Sequence, residues 1–71
     1  MNPEEYSIAV WLNDVKILEL CVGFRIGMDT EEKAAKYGRW KAIKQGLMTN
    51  NQSCEVDVSV DASDDWATYN F

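Results

Sequence analysis

Acidic and apolar residues alternate along residues 54–61, which read CEVDVSVD. A period of two is typical of a β-strand with one face buried and one face in water. The exposed face of this strand and the residues that follow it would carry five carboxylates: Glu55, Asp57, Asp61, Asp64 and Asp65. Like charges that lie side by side on a sheet repel each other and add no stability. These carboxylates therefore either keep the chain in solution or bind cationic groups of a partner.

The chain lacks most of the groups that catalytic sites use. It has no histidine, the usual proton donor and acceptor near neutral pH. It has no Cys-x-x-Cys and no cluster of histidines and cysteines that would bind zinc. The segment GFRIG at 23–27 lacks the third glycine, the lysine and the hydroxyl residue of a phosphate-binding loop. Asp64 and Asp65 could bind a hard cation, but adjacent acids in a tail are more often solvated than bound to a metal. We therefore expect neither catalysis nor a metal or cofactor.

Charge is distributed unevenly over the 71 residues, which carry 12 acids, 7 bases and a formal net charge of −5. Residues 29–46 contain five bases and three acids, whereas the remainder contains nine acids and two bases. Long-range attraction therefore favours a basic partner over a polyanion or a membrane. The length predicts one domain, residues 1–71, in which 61–71 form an acidic aromatic tail. The two cysteines are predicted on opposite faces of the sheet, so we expect both thiols to be free. So few cysteines indicate a reducing compartment, and no apolar run is long enough to span a bilayer. We therefore predict a cytoplasmic protein.

Two alternating segments predict a β-hairpin near the start of the chain. Residues 6–12 favour a strand, although the Asn-Pro-Glu-Glu run at 2–5 is also a good helix start. A second alternating series covers residues 16–26, and Gly23 within it marks a possible bulge. A two-residue turn would place an acid opposite Ile8, on the apolar face. We therefore predict a three-residue loop, 13–15, which aligns Ile8 with Leu20 and Tyr6 with Val22.

Residues 31–47 predict a helix that begins at Asp29 or Thr30. One of its sides carries large residues: Tyr37, Trp40, Ile43 and Leu47. The opposite side carries small ones: Ala34, Ala35, Gly38, Ala42 and Gly46. We expect the large side to face the sheet, because it removes more apolar area from water. The alternative, with the small side on the sheet, would leave an aromatic patch among lysines at the surface.

The order of elements predicts an α+β fold. It is a small three-stranded, mostly antiparallel sheet with one helix on one face (ββαβ) and a short acidic aromatic tail. The outer face of this sheet would join an apolar strip, Trp11, Val15, Ile17 and Cys21, to the carboxylates. This strip is either a contact surface or is covered by Trp66, Tyr69 and Phe71 of the tail. The predicted partner-binding residues are Glu55, Asp57, Asp61, Asp64, Asp65, Trp66, Trp11 and Ile17.

Two other functions use different surfaces. A nucleic-acid-binding module would use the basic helix, with Lys33, Lys36, Arg39, Lys41, Lys44 and Trp40. A homodimeric structural subunit would bury Trp11, Val15 and Ile17 across a two-fold axis.

Two strands, a lysine-bearing helix, a polar turn and the sequence CEVD at 54–57 resemble small phage antitoxins of the Dmd type. More broadly, the chain is similar to small acidic phage-encoded inhibitors of host enzymes, which include antitoxin, anti-CRISPR and anti-restriction proteins. This resemblance implies a fold with one sheet and one helix. It also implies that the protein acts in the host cytoplasm and inhibits a host enzyme by occluding its surface. Some proteins of this kind do so as DNA mimics. The tail from Asp61 onward departs from the antitoxin pattern. We therefore predict a non-catalytic inhibitor or adaptor whose partner has a basic surface.

Overall fold

The computed structural model describes residues 4–61 and 63–71. Its elements are β1 (Glu5–Leu12), β2 (Val15–Gly23), α1 (Glu31–Lys44), β3 (Glu55–Val60) and β4 (Trp66–Asn70). The strands form one antiparallel sheet in the order β2-β1-β3-β4, and α1 packs across one of its faces. No helix in the described ranges is long and apolar enough to cross a bilayer.

Strand β1 occupies the centre of the sheet and supplies much of the core. Tyr6, Ile8 and Val10 are each at most 2% exposed and point towards α1. The strand predicted from the alternation is therefore confirmed, and a helix over residues 5–12 is excluded. Residues 1–3 of the rival helix start lie outside the described residues.

The β1–β2 connection is shorter than predicted. Leu12 pairs with Val15 across a two-residue turn, in which Asn13 and Asp14 have φ values of 50° and 64°. Such left-handed residues are typical of tight hairpin turns, so the predicted three-residue loop is wrong. A bulge restores the alternation, because Trp11 faces Lys16 while Val10 faces Leu18.

The register beyond this bulge is as predicted, with Ile8 opposite Leu20 and Tyr6 opposite Val22. The irregularity that the sequence suggested at Gly23 lies at the other end of β2. The sequence indicated the correct apolar face but assigned the additional residue to the turn instead of the bulge.

The tail contributes a fourth strand, so the predicted three-stranded sheet is wrong in this detail. Residues 66–70 pair with β3, which places Ala67 opposite Val58 and Tyr69 opposite Val56. Cys54 and Phe71 extend the pairing by exchanging two backbone hydrogen bonds of 2.9 Å. The pairing satisfies backbone groups that β3 would otherwise expose at the edge of the sheet.

Helix α1 rests on the sheet with its small side, contrary to the prediction. Its N-cap is Thr30, whose hydroxyl accepts a hydrogen bond of 3.1 Å from the backbone N–H of Lys33. The buried helix residues are Ala34, Ala35, Gly38 and Ala42, whereas Trp40 is 50% exposed. A Cβ atom at Gly38 would lie only 2.5 Å from Cγ2 of Ile8. The sheet thus supplies the large apolar side chains, and the helix approaches them so closely that only small residues fit.

Candidate partner-binding face of the sheet

The sheet face that points away from α1 is called the open face below. Residues of β1 and β3 that alternate with the core residues lie on it: Glu5, Ser7, Ala9, Trp11, Glu55, Asp57 and Ser59. The register adds residues from the outer strands: Lys16, Glu19, Cys21, Trp66, Thr68 and Asn70. The helix thus covers one side of the sheet and leaves the other available for contacts.

Carboxylates dominate the open face and the turn beside it. Glu5, Glu19, Glu55 and Asp57 lie on the strands, and Asp61, Asp64 and Asp65 lie between β3 and β4. Within the described ranges, Glu19 is the only one of these seven in an ion pair, with its Oε2 2.6 Å from Nζ of Lys16. Most of the negative charge therefore has no intramolecular counter-ion in the described structure.

Two of the predicted acids have defined hydrogen bonds. Oδ1 of Asp57 accepts a hydrogen bond of 2.7 Å from the hydroxyl of Thr68 on β4. Oδ1 of Asp61 accepts hydrogen bonds from the backbone N–H groups of Glu4 and Glu5, at 2.7 and 3.0 Å. Asp61 also has a φ of 49°. Asp61 therefore ties the start of β1 to the end of β3, a structural role that the sequence did not reveal.

Trp11 and Trp66 lie on the open face on either side of Ala9. Their side chains line a common pocket, and Trp66 is 48% exposed. The tail does not cover the open face as a unit, because Tyr69 and Phe71 pack against the core. Trp66 therefore contributes to the surface instead of closing it.

The apolar strip predicted beside the acids is only partly formed. Ile17 belongs to the bulge and packs against the core, and Val15 stands opposite Leu12 next to the turn. The bulge is the physical reason, because it changes which residues of β2 face outward. Of the predicted strip, only Trp11 and Cys21 lie on the open face. Ile17 packs against the core, so it does not lie with the other predicted partner-binding residues.

The helix residues predicted for nucleic acid have divided roles. Lys33 Nζ lies 2.8 Å from Oδ1 of Asp29, and this hydrogen bond lowers the pKa of Asp29. Arg39 Nη2 donates to the backbone carbonyls of Asn50 and Gln52, at 3.0 and 3.2 Å. These two bases hold neighbouring loops in place. Lys36, Lys41 and Lys44 have no acidic partner in the part of the chain described.

An aromatic cluster accompanies the remaining lysines. The ring centroids of Tyr37 and Trp40 are 5.6 Å apart, and Nζ of Lys44 lies 5.4 Å from the Trp40 ring centroid. Trp40 is 50% exposed, whereas Tyr37 is partly buried and packs against the core, so the exposed aromatic surface that the sequence suggested as an alternative is formed mainly by Trp40. It lies on the outer side of α1, on the opposite face of the molecule from the open face.

The two cysteines differ in their exposure. Cys21 is exposed and Cys54 is buried, and both are free thiols. Burial raises the pKa of the Cys54 thiol, which keeps it protonated at neutral pH. Within residues 4–61 and 63–71, no three Cys, Asp or Glu side chains are arranged to hold a metal ion.

Glu5 and Glu19 were absent from the predicted site. The predicted register already placed Glu19 opposite Ala9 on the outer face, so the same parity rule would have identified it. Glu5 follows from the alternation of β1.

Comparison of the chain with protein-family models, curated proteins and solved structures gives no match. The functional argument therefore depends on the open face and on the outer side of α1.

Proposed function

We propose that this chain is a non-catalytic, phage-type inhibitor or adaptor that binds a basic surface of a partner protein with its open face. The carrying observation is the set of carboxylates on that face, of which only Glu19 is in an ion pair in the described structure. The partner would be a host nucleic-acid or defence enzyme in the cytoplasm. Occlusion of its cationic cleft would prevent the binding of nucleic acid, as a DNA mimic does.

The charged and the apolar residues of the open face would contribute to binding in different ways. The carboxylates would pair with Arg and Lys of the partner, which speeds encounter and fixes orientation more than it raises affinity. The exposed indole of Trp66, with Trp11 beside it, would supply an apolar anchor at the centre of the contact. The pairing of the four strands fixes the spacing of the groups that lie on the strands.

The test is a comparison of baits in a bacterial lysate, followed by kinetics. The variant Glu55→Gln/Asp64→Asn/Asp65→Asn removes three carboxylates that have no cationic contact in the described ranges. Asp61 is left intact because it supports the fold. A matched control, Lys36→Gln/Lys41→Gln, changes charge on the opposite side of the molecule.

We expect the wild-type chain and the lysine control to capture the same basic protein, and the acid variant to lose it. Association measured by surface plasmon resonance should slow by about tenfold or more at low salt and should depend less steeply on salt. An unchanged association rate in the acid variant would contradict the proposal.

A second function, nucleic-acid binding by the outer side of α1, is favoured by the exposure of Trp40 next to Lys44. Stacking on an aromatic ring and contacts to phosphate are typical of single-strand binding. Lys36, Lys41 and Lys44 have no acidic partner among the described residues and are therefore available for phosphate. With three such contacts, a plot of log binding constant against log salt concentration should have a slope of about −2 to −3. Titration of a labelled oligonucleotide into the wild-type chain and Trp40→Ala tests this function. The homodimer remains a prediction for sedimentation equilibrium to check.

A further inference from the structure

A pocket of about 220 Å³ opens on the open face between the two tryptophans. Its lining is Ala9, Trp11, Lys16, Glu19, Asp57 and Trp66. Ala9 is only 5% exposed, so it closes the pocket from below, and the indole of Trp66 remains accessible at the side. Sites for drug-sized molecules usually exceed about 300 Å³, so this pocket suits a single side chain better than a larger ligand.

The charges in the pocket leave one negative charge without a counter-ion. Lys16 neutralises Glu19, with Nζ and Oε2 2.6 Å apart. Asp57 accepts a hydrogen bond from the hydroxyl of Thr68, which carries no charge. Within the described ranges Asp57 has no lysine or arginine partner. The pocket therefore favours one additional cation.

An intramolecular contact shows that a cation already lies near one of these rings. Nζ of Lys16 lies 6.0 Å from the ring centroid of Trp11, at the outer limit of a cation–π contact. The ring of Trp66, in contrast, has no cation above it among the described residues. A second cation could therefore lie against Trp66 and beside Asp57 while Lys16 stays paired with Glu19.

We propose that this pocket binds one arginine side chain of the partner, with its guanidinium against the Trp66 ring and hydrogen-bonded to Asp57. This inference rests on the proposed function, because it names the group that the open face recognises. Arginine fits better than lysine, since its planar guanidinium is weakly hydrated, stacks on aromatic rings and pairs with a carboxylate through several donors. An anionic ligand would be repelled by Asp57, the one pocket carboxylate without a cationic partner among the described residues.

The three tryptophans provide the measurement. Each indole N–H gives one ¹H–¹⁵N signal, and Trp40 on the outer side of α1 is an internal control. The probe is N-acetyl-arginine methylamide, and the matched neutral probe is the corresponding citrulline compound. We expect the arginine probe to shift the Trp11 and Trp66 signals saturably, with at least tenfold weaker binding of the citrulline probe and no shift at Trp40.

Variants locate the binding. Asp57→Asn keeps an oxygen for the Thr68 hydrogen bond but removes the charge, and should weaken the arginine probe about fivefold or more. Lys16→Met leaves Glu19 without its counter-ion and so adds one net negative charge to the pocket, which should tighten binding. Asp65→Asn, which lies outside the pocket lining, should change it less than twofold. The pocket assignment is overturned if the shifts do not saturate, if citrulline binds equally well, or if Asp57→Asn binds as tightly as the wild type.

The pocket and the proposed function can fail separately. If the arginine probe does not bind but the acid variant Glu55→Gln/Asp64→Asn/Asp65→Asn loses the captured partner, the function stands and the pocket is wrong. If the probe binds as expected while that variant keeps its partner and association rate, the open face is not the partner surface.

Discussion

Replacement of Gly38 by alanine should destabilise the protein, although alanine is the better helix former. The new Cβ atom would lie 2.5 Å from Cγ2 of Ile8 and 3.3 Å from Cγ2 of Val10. Carbon atoms normally approach to about 3.5–4.0 Å, so α1 must lift from the sheet by roughly 1 Å. The Cγ2 methyl of Ile8 is bonded directly to Cβ, so it can move away only by rotation about χ1, which is restricted in a packed β-branched residue, or by a shift of the strand.

The size of the effect follows from two opposing terms. Overpacking of a core costs about 1–3 kcal/mol, and the higher helix propensity of alanine offsets about 1 kcal/mol of it. The first contact is so short that we expect a net loss of about 1–2 kcal/mol in the free energy of unfolding. For a domain of this size, that corresponds to a fall of roughly 5–15 °C in Tm.

The assay is urea unfolding followed by circular dichroism, in two backgrounds. Ile8→Leu moves the branch point of the side chain and so removes Cγ2, at a cost below about 1.5 kcal/mol because volume is conserved. In that background Gly38→Ala should be close to neutral, which gives a coupling free energy of about 1–2 kcal/mol between the two sites. The reasoning is refuted if Gly38→Ala raises the urea midpoint of the wild type, or lowers it equally in both backgrounds.

Three further predictions concern Asp61, Asp29 and the two cysteines. Asp61→Ala should lower the free energy of unfolding by about 1 kcal/mol or more in urea titrations, because two backbone N–H groups lose their acceptor and alanine is strained at a φ of 49°. Asp61→Asn keeps an acceptor and tolerates that φ, and should recover at least half of the loss. The hydrogen bond from Lys33 lowers the pKa of Asp29 in the folded protein below its ordinary value of 3.8. The ionised Asp29 therefore stabilises the fold above pH 3.8, and this stabilisation is lost as the pH falls through the pKa of the folded state. Asp29→Asn should therefore flatten the acid limb of stability against pH. With a thiol reagent, Cys21 should react in the folded protein and buried Cys54 only on unfolding; equal rates would contradict the burial of Cys54.

The sequence predicted the elements in which periodicity and burial agree. The alternation in β1 and β3 identified Tyr6, Ile8, Val56 and Val58 as core residues, because a period of two allows only one set of residues to face the helix. The same parity placed Glu55 and Asp57 on the outer face. These predictions needed no knowledge of which strands pair.

The orientation of α1 was predicted wrongly because apolar area was the only criterion. The closeness of approach between helix and sheet also matters, and Gly38 with its alanines allows an approach that Trp40 would prevent. Strand β4 was missed because five residues after an acidic turn carry a weak signal on their own. Asp61 was assigned to the partner-binding site because the sequence shows only that its side chain is charged. Its φ and its hydrogen bonds to the backbone depend on the fold and could not be predicted from the sequence.

The strand order β2-β1-β3-β4 has a consequence for the kinetics of folding. The β1–β2 and β3–β4 pairs are local hairpins that can close early, because short loops lose little entropy. The seam between them joins Tyr6 to Val60 and Trp11 to Glu55, which are far apart along the chain. The rate-limiting event should therefore be the docking of two preformed halves around α1, and mutations in the seam should slow folding more than mutations in either turn.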